Sequence, residues 1–148
     1  TYSRGLLGGV VVVVAGPPLL TGYCSSPYKI CENAERVVRL IGMGWEARIV
    51  SLEEKTHIDS SIKQWSGDSR GYWDGNTLVV ETRNFSEKVG SLSLRGIAYG
   101  NATDRLLIER FTPIAAGVLE YEFTVDDPTT FTDKIGVNSS MTRVGDSI

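Results

Sequence analysis

Gly67-Asp68-Ser69-Arg70-Gly71-Tyr72-Trp73-Asp74-Gly75-Asn76-Thr77-Leu78-Val79-Val80-Glu81-Thr82 is the stretch that decides how this chain folds. Asp74-Gly75 stands between an aromatic run and a β-branched run, a strong short-range signal for a hairpin. The expected arms are residues 71–74 and 77–84. The first arm and its approach carry an acid, a hydroxyl, a guanidinium and two aromatics: Asp68, Ser69, Arg70, Tyr72 and Trp73.

The pattern repeats downstream. Residues 105–113 and 118–125 predict a second hairpin, joined through residues 114–117. Leu119, Tyr121, Phe123 and Val125 fall on one face of its second arm, and Val118, Glu120, Glu122 and Thr124 on the other, because side chains alternate along a strand. Upstream, five consecutive valines from Val10 are poor helix formers and good strand formers. They predict a strand over 10–15, stopped by Gly16-Pro17-Pro18. The same apolar run after Arg4 also fits the core of a secretion signal. A short strand is expected at 28–31. Residues 32–41 fit either a helix or a strand; the preferred reading is a strand that begins at Arg36 and turns back through Gly42-Met43-Gly44 to pair with 46–52. Residues 53–67 are polar and irregular, with one helical turn expected at 60–64. Residues 86–103 are expected to form a long glycine-containing loop that has room for a short strand at 91–95, of the length often used as a lid or binding loop. A last strand is expected within 131–141.

Short strands with tight turns and almost no long helix predict an all-β fold. About eight strands hide their edges most simply by closing into a small antiparallel barrel of the lipocalin-like kind; a β-sandwich is the alternative. A barrel of that size holds side chains or one small ligand. The 148 residues make one domain, 1–148, in which 1–30 is the part that also fits an irregular or signal-like segment. The chain begins at Thr1, as a processed, trimmed or partial sequence would.

A net charge of −3 and scattered lysines and arginines argue against a nucleic-acid partner. No run of about eighteen apolar residues is present, so no membrane-spanning helix is expected. Cys24 and Cys31 flank a Ser-Pro turn and suit either a disulfide or two free thiols. Two cysteines and one histidine are too few for a usual zinc site. Asn84-Phe85-Ser86, Asn101-Ala102-Thr103 and Asn138-Ser139-Ser140 match the glycosylation tripeptide, which matters only in a eukaryotic secretory pathway.

The stretch from Gly67 to Phe85 resembles a string found in a large group of uncharacterised, mostly exported bacterial proteins, of the form G-D-S-R-G-x-W-E-G-D-T-L-V-V-x-T-x-N-F. The similarity continues at Glu109-Arg110-Phe111-Thr112 and Tyr121-Glu122-Phe123-Thr124-Val125-Asp126-Asp127-Pro128. Upstream it takes in Ala47-Arg48-Ile49-Val50-Ser51-Leu52, His57 and Gln64-Trp65. It spans roughly Val37 to Thr132 and implies an exported protein, but no general activity. This chain departs from the string at Asp74 and Asn76, where the group has Glu and Asp; both changes keep turn chemistry. The valine run and cysteine pair are unusual for the group, and an aromatic-proline segment is missing after Phe131.

Asp68-Ser69-Arg70 offers two readings. A Gly-Asp-Ser string occurs in some serine hydrolases, but those place it after the first strand of an α/β fold, which this chain lacks. Otherwise Asp68 and Ser69 shape the turn into the hairpin while Arg70 pairs with a carboxylate. His57, the sole histidine, is a candidate general base oriented by Asp59, or a solvated loop residue. Glu109 and Arg110 alternate on one strand, so one of them points into the packed side. A buried Glu109 is either an acid/base or half of an ion pair with Arg70 or Arg83. Trp65, Tyr72, Trp73 and Tyr121 line a pocket or fill the core.

No phosphate loop, metal cluster or nucleotide signature appears, so the chemistry expected uses no cofactor. The leading expectation is acid/base catalysis on a hydrophobic small molecule, as a cyclase, isomerase or lyase. Asp68, Arg70, His57 and Glu109 are its catalytic set, and Trp65, Tyr72, Trp73 and Tyr121 bind its substrate. A barrel that binds such a molecule without turnover is the alternative. A structural protein that self-assembles through the valine strand, as a homo-oligomer, is the third.

Overall fold

A computed structural model describes residues 10–11, 27–32, 35–41, 47–53, 56–87 and 103–143. They form one nine-stranded sheet: β1 Val10–Val11, β2 Pro27–Glu32, β3 Arg36–Ile41, β4 Ala47–Ser51, β5 Asp68–Asp74, β6 Thr77–Arg83, β7 Leu106–Ala115, β8 Val118–Asp126 and β9 Ile135–Thr142. Strand order follows sequence order throughout. Every neighbouring pair is antiparallel except β4 and β5, which run parallel and meet at a single bridge, Ser51 to Arg70. Among the described residues there is no helix, and so none long and apolar enough to cross a membrane.

The all-β expectation holds, but the closed barrel does not. The two end strands, β1 and β9, come near each other. Among the described residues no ladder joins them, and Val10 and Val11 pair only with Tyr28 and Pro27 of β2. The sheet is therefore open.

Both hairpins form where turn chemistry places them. Asp74 pairs with Thr77 across Gly75-Asn76. Gly75 takes φ +60° while Asn76 does not enter positive φ, the pattern of a type II′ turn. In the second hairpin Ala115 pairs with Val118 across Ala116-Gly117, with Gly117 at φ +70°. Its first arm runs two residues further than expected and carries a bulge between Pro113 and Ala115. The strands beginning at Arg36 and near Glu46 pair antiparallel as expected, and the last strand runs 135–142. The expected helical turn at 60–64 is only a turn at Ser60-Ser61, closed by Ile62 N–H donating to Asp59 C=O. The turn at 42–44, most of the 86–103 loop, the valines beyond Val11, Cys24, the Cys31 side chain and Asn101 lie outside the described residues.

Register divides the sheet into two faces. Ser69, Gly71 and Trp73 stand opposite Thr82, Val80 and Leu78; these in turn stand opposite Leu107, Glu109 and Phe111. This inner face carries the core: Val37, Val50, Leu78, Val80, Phe85, Leu107, Phe111, Leu119, Tyr121, Phe123, Val125 and Met141. Each such side chain taken fully from water contributes about 1.5–3 kcal/mol. Tyr121 sits between Phe111 and Phe123, with ring centroids 5.0 and 5.8 Å away. The outer face of β5 presents Asp68, Arg70 and Tyr72.

Candidate functional site

The segment between β4 and β5 is pinned against the end of β6, and this places His57. Gln64 N–H donates to Asn84 C=O at 2.8 Å, and Ser86 N–H to Gln64 C=O at 2.9 Å. Asn84 adopts φ +58°, a conformation Asn tolerates better than most residues. From there its Nδ2 donates to the carbonyls of Ile58 (2.9 Å) and Asp59 (3.2 Å). Gly67 then turns the chain into β5 at φ +72°.

His57 Nδ1 faces Asp68 Oδ2 at 2.8 Å. The same oxygen accepts the Ile58 N–H at 3.1 Å, and Asp68 Oδ1 lies 3.1 Å from Arg70 Nη2. Arg70 is held in turn by donating from Nε to Thr56 C=O at 2.9 Å. The Asp68 carboxylate thus gathers an imidazole, a guanidinium and a backbone amide, with its own side chain only 7% exposed. A carboxylate is an acceptor, so Nδ1 carries the proton toward it, and the lone pair of the neutral ring is on Nε2. Nε2 is buried and has no hydrogen-bond partner among the described residues.

Asp59, expected to orient His57, does something else. It accepts from Ser61 N–H (2.9 Å) and Ser61 Oγ–H (2.6 Å), and these bonds hold its carboxyl below the ordinary value.

Glu109 does not join this group. Its position in the register puts it on the inner face, opposite Val80, whereas Arg70 stands opposite Glu81 on the outer face. The sheet itself separates the expected catalytic set. Glu109 is fully buried and pairs with Arg48, a residue the sequence reading passed over, rather than with Arg70 or Arg83. Arg48 Nη1 lies 2.6 Å from Glu109 Oε2, a close charge contact rather than an aligned hydrogen bond. Tyr121 Oη–H donates to Glu109 Oε1 at 2.9 Å. Arg48 Nε donates to Ser69 Oγ at 2.9 Å, and its Nη2 to Thr82 Oγ1.

The expected substrate-binding set divides in the same way. Tyr121 belongs to the core and Trp73 packs against it. Tyr72 is exposed on the outer face, and Trp65 is 64% exposed in the segment leading to Gly67. Arg110, the outward partner of Glu109, makes a surface ion pair with Asp74 at 3.1 Å. An open depression of about 280 Å³ crosses β7, β8 and β9 on the outer face, and Arg110 and Glu122 are among its walls. None of the expected site residues lines it.

Arg48 lies two positions before Val50 on β4, so one face of that strand carries both. Ile49, between them, is 56% exposed. The apolar residue points out and the cation points in, the reverse of the usual expectation. Comparison with protein families, with curated proteins and with solved structures found no match to this chain.

Proposed function

We propose that this chain is a cofactor-independent acid/base catalyst acting on a small, largely apolar molecule, with His57 as the group that moves the proton. One observation carries the reading. An imidazole is fixed through Nδ1 by a buried carboxylate, and its other nitrogen is buried without a hydrogen-bond partner among the described residues. A base held in one tautomer and kept dry is arranged for proton transfer. In this reading Asp68 orients His57 and stabilises its protonated form, and Arg70 holds Asp68. Tyr72, two positions along the same face of β5, offers apolar surface to the substrate, as does Trp65. Glu109 takes no part in the reaction. Proton abstraction beside a carbonyl or across a double bond is the chemistry such a base performs, as in an isomerase, cyclase or lyase. The site lies on the outer face, so lipocalin-like closure of the sheet plays no role. Export, implied by the resemblance of residues 67–85, is part of the same proposal.

The test is isotope exchange. A panel of small cyclic ketones and unsaturated acids is incubated with the protein in heavy water, and deuterium uptake at carbon is read by mass spectrometry. Uptake above background is expected for part of the panel, and His57→Gln should slow it about 10²- to 10⁴-fold. Uptake equal in the variant would remove His57 from the mechanism. Quenching of tryptophan fluorescence that Trp65→Phe abolishes, without any uptake, would favour a binding protein instead.

A further inference from the structure

Among the described residues β4 and β5 share the shortest ladder of the sheet. Every other neighbouring pair shares a ladder of at least two residue pairs, but these two strands share one bridge. The segment that carries His57 leaves from β4 and returns into β5 at this junction. The later part of that segment is held on β6 through Gln64 and Asn84, and at its β4 end the bridge is the one ladder contact with β5 among the described residues.

We infer that Arg48, on the opposite face of the sheet, is the positioning residue for the His57–Asp68 pair, standing in for the ladder that β4 and β5 lack. The inference rests on the reading of His57 as the base. Arg48 belongs to β4. Its guanidinium reaches Ser69 of β5, Thr82 of β6 and Glu109 of β7. A planar fork with several donors holds several acceptors in fixed relative positions, which a lysine does not. Ser69 Oγ also lies 3.1 Å from Thr82 Oγ1, so the β5 end of this clamp is held twice. Ser69 is the residue between Asp68 and Arg70. Fixing its side chain on the inner face sets the direction in which both neighbours leave the outer face, because successive residues of a strand point oppositely. The cluster is buried, Arg48 being 5% exposed and Glu109 not at all, so water does not compete for these contacts. Burying a charged pair is weak evidence for stability as such. A cross-strand clamp at the one place where the ladder fails gives this pair a different reason to exist.

The single histidine makes the test direct. Long-range proton–nitrogen NMR of that ring reports its tautomer, and solvent exchange of the Nδ1 proton reports how well Asp68 holds it. Neither needs a substrate, so a failed search for turnover leaves this experiment intact. The unaltered chain should show one tautomer with the proton on Nδ1. Ser69→Ala, which removes the link from Arg48 to β5 together with the Ser69–Thr82 hydroxyl contact, should mix the tautomers and speed exchange of that proton about tenfold, as local opening becomes easier. Thr77→Val is the control: it removes a comparable hydroxyl pair, Thr77 with Thr112 at 2.8 Å, from the far end of the same hairpin. It should leave the ring unchanged. Arg48→Met with Glu109→Gln, which removes the clamp without stranding a charge, should reproduce the Ser69→Ala signature. An unchanged signature in Ser69→Ala, or an equal change in Thr77→Val, overturns the inference. So does an unchanged ring in the folded double variant; if that variant does not fold, the Ser69→Ala result decides alone.

Discussion

Gly67 and Gly75 both occupy positive φ, yet they do different work. A methyl group added at Gly75 would meet nothing within 4 Å. One added at Gly67 would lie 2.6 Å from Thr82 Cγ2 and 2.8 Å from the Arg83 carbonyl oxygen. Gly67 is thus the point where the site segment is pressed against β6. Gly67→Ala is expected to cost about 1–3 kcal/mol from overpacking, beyond the backbone strain it shares with Gly75→Ala. Urea unfolding of the two variants checks the order; equal losses would refute it. Asp59 gives a pH signature on the same segment. Its hydrogen bonds from Ser61 lower its folded-state pKa, so its contribution is present above the ordinary carboxylate value of 3.8 and lost as pH falls through the lower folded value. Melting temperatures of the unaltered chain and Ser61→Ala should differ at neutral pH and converge in acid. A gap that widens on acidification would show the sign to be wrong. The sequence offered Asp59 as the partner of His57 because the two lie two positions apart. Local spacing cannot reveal that Asp59 is taken by Ser61, nor that Asp68 is folded back onto the ring.

Strands were the most legible elements, and for a physical reason. A turn such as Asp74-Gly75-Asn76-Thr77 specifies its own geometry, and period-two alternation follows from the pleat. The inward set on β8, Leu119 to Val125, was readable in full. On β4 the alternation is equally regular but its polarity is inverted, Arg48 in and Ile49 out. Only knowledge of what faces Arg48 explains this. Glu109 balances its charge, and removing one partner leaves the other buried and uncompensated. Arg48→Met alone is therefore expected to destabilise the fold by about 3–5 kcal/mol. Adding Glu109→Gln, which keeps an acceptor for Tyr121 Oη–H, should recover a large part of that loss. Chemical denaturation of the single and double variants measures the coupling; a double variant no more stable than Arg48→Met would show that the pair is not a unit.

At the scale of the molecule, the open sheet replaced the expected barrel, and a two-faced arrangement replaced the expected central pocket. One face is a core with an ion pair inside it; the other bears His57, Asp68, Arg70 and Tyr72. The proposed base and the buried glutamate are on opposite sides of a layer one strand thick. By itself the sequence determined the two hairpins, their turns and the inward set on β8, because those depend on neighbours within a few residues. Tertiary structure alone decided that His57 meets Asp68 and not Asp59, that Glu109 meets Arg48 and not Arg70, and that among the described residues no ladder joins the first strand to the last. Those outcomes depend on register and on which strands lie side by side, and no local pattern of residue types encodes either.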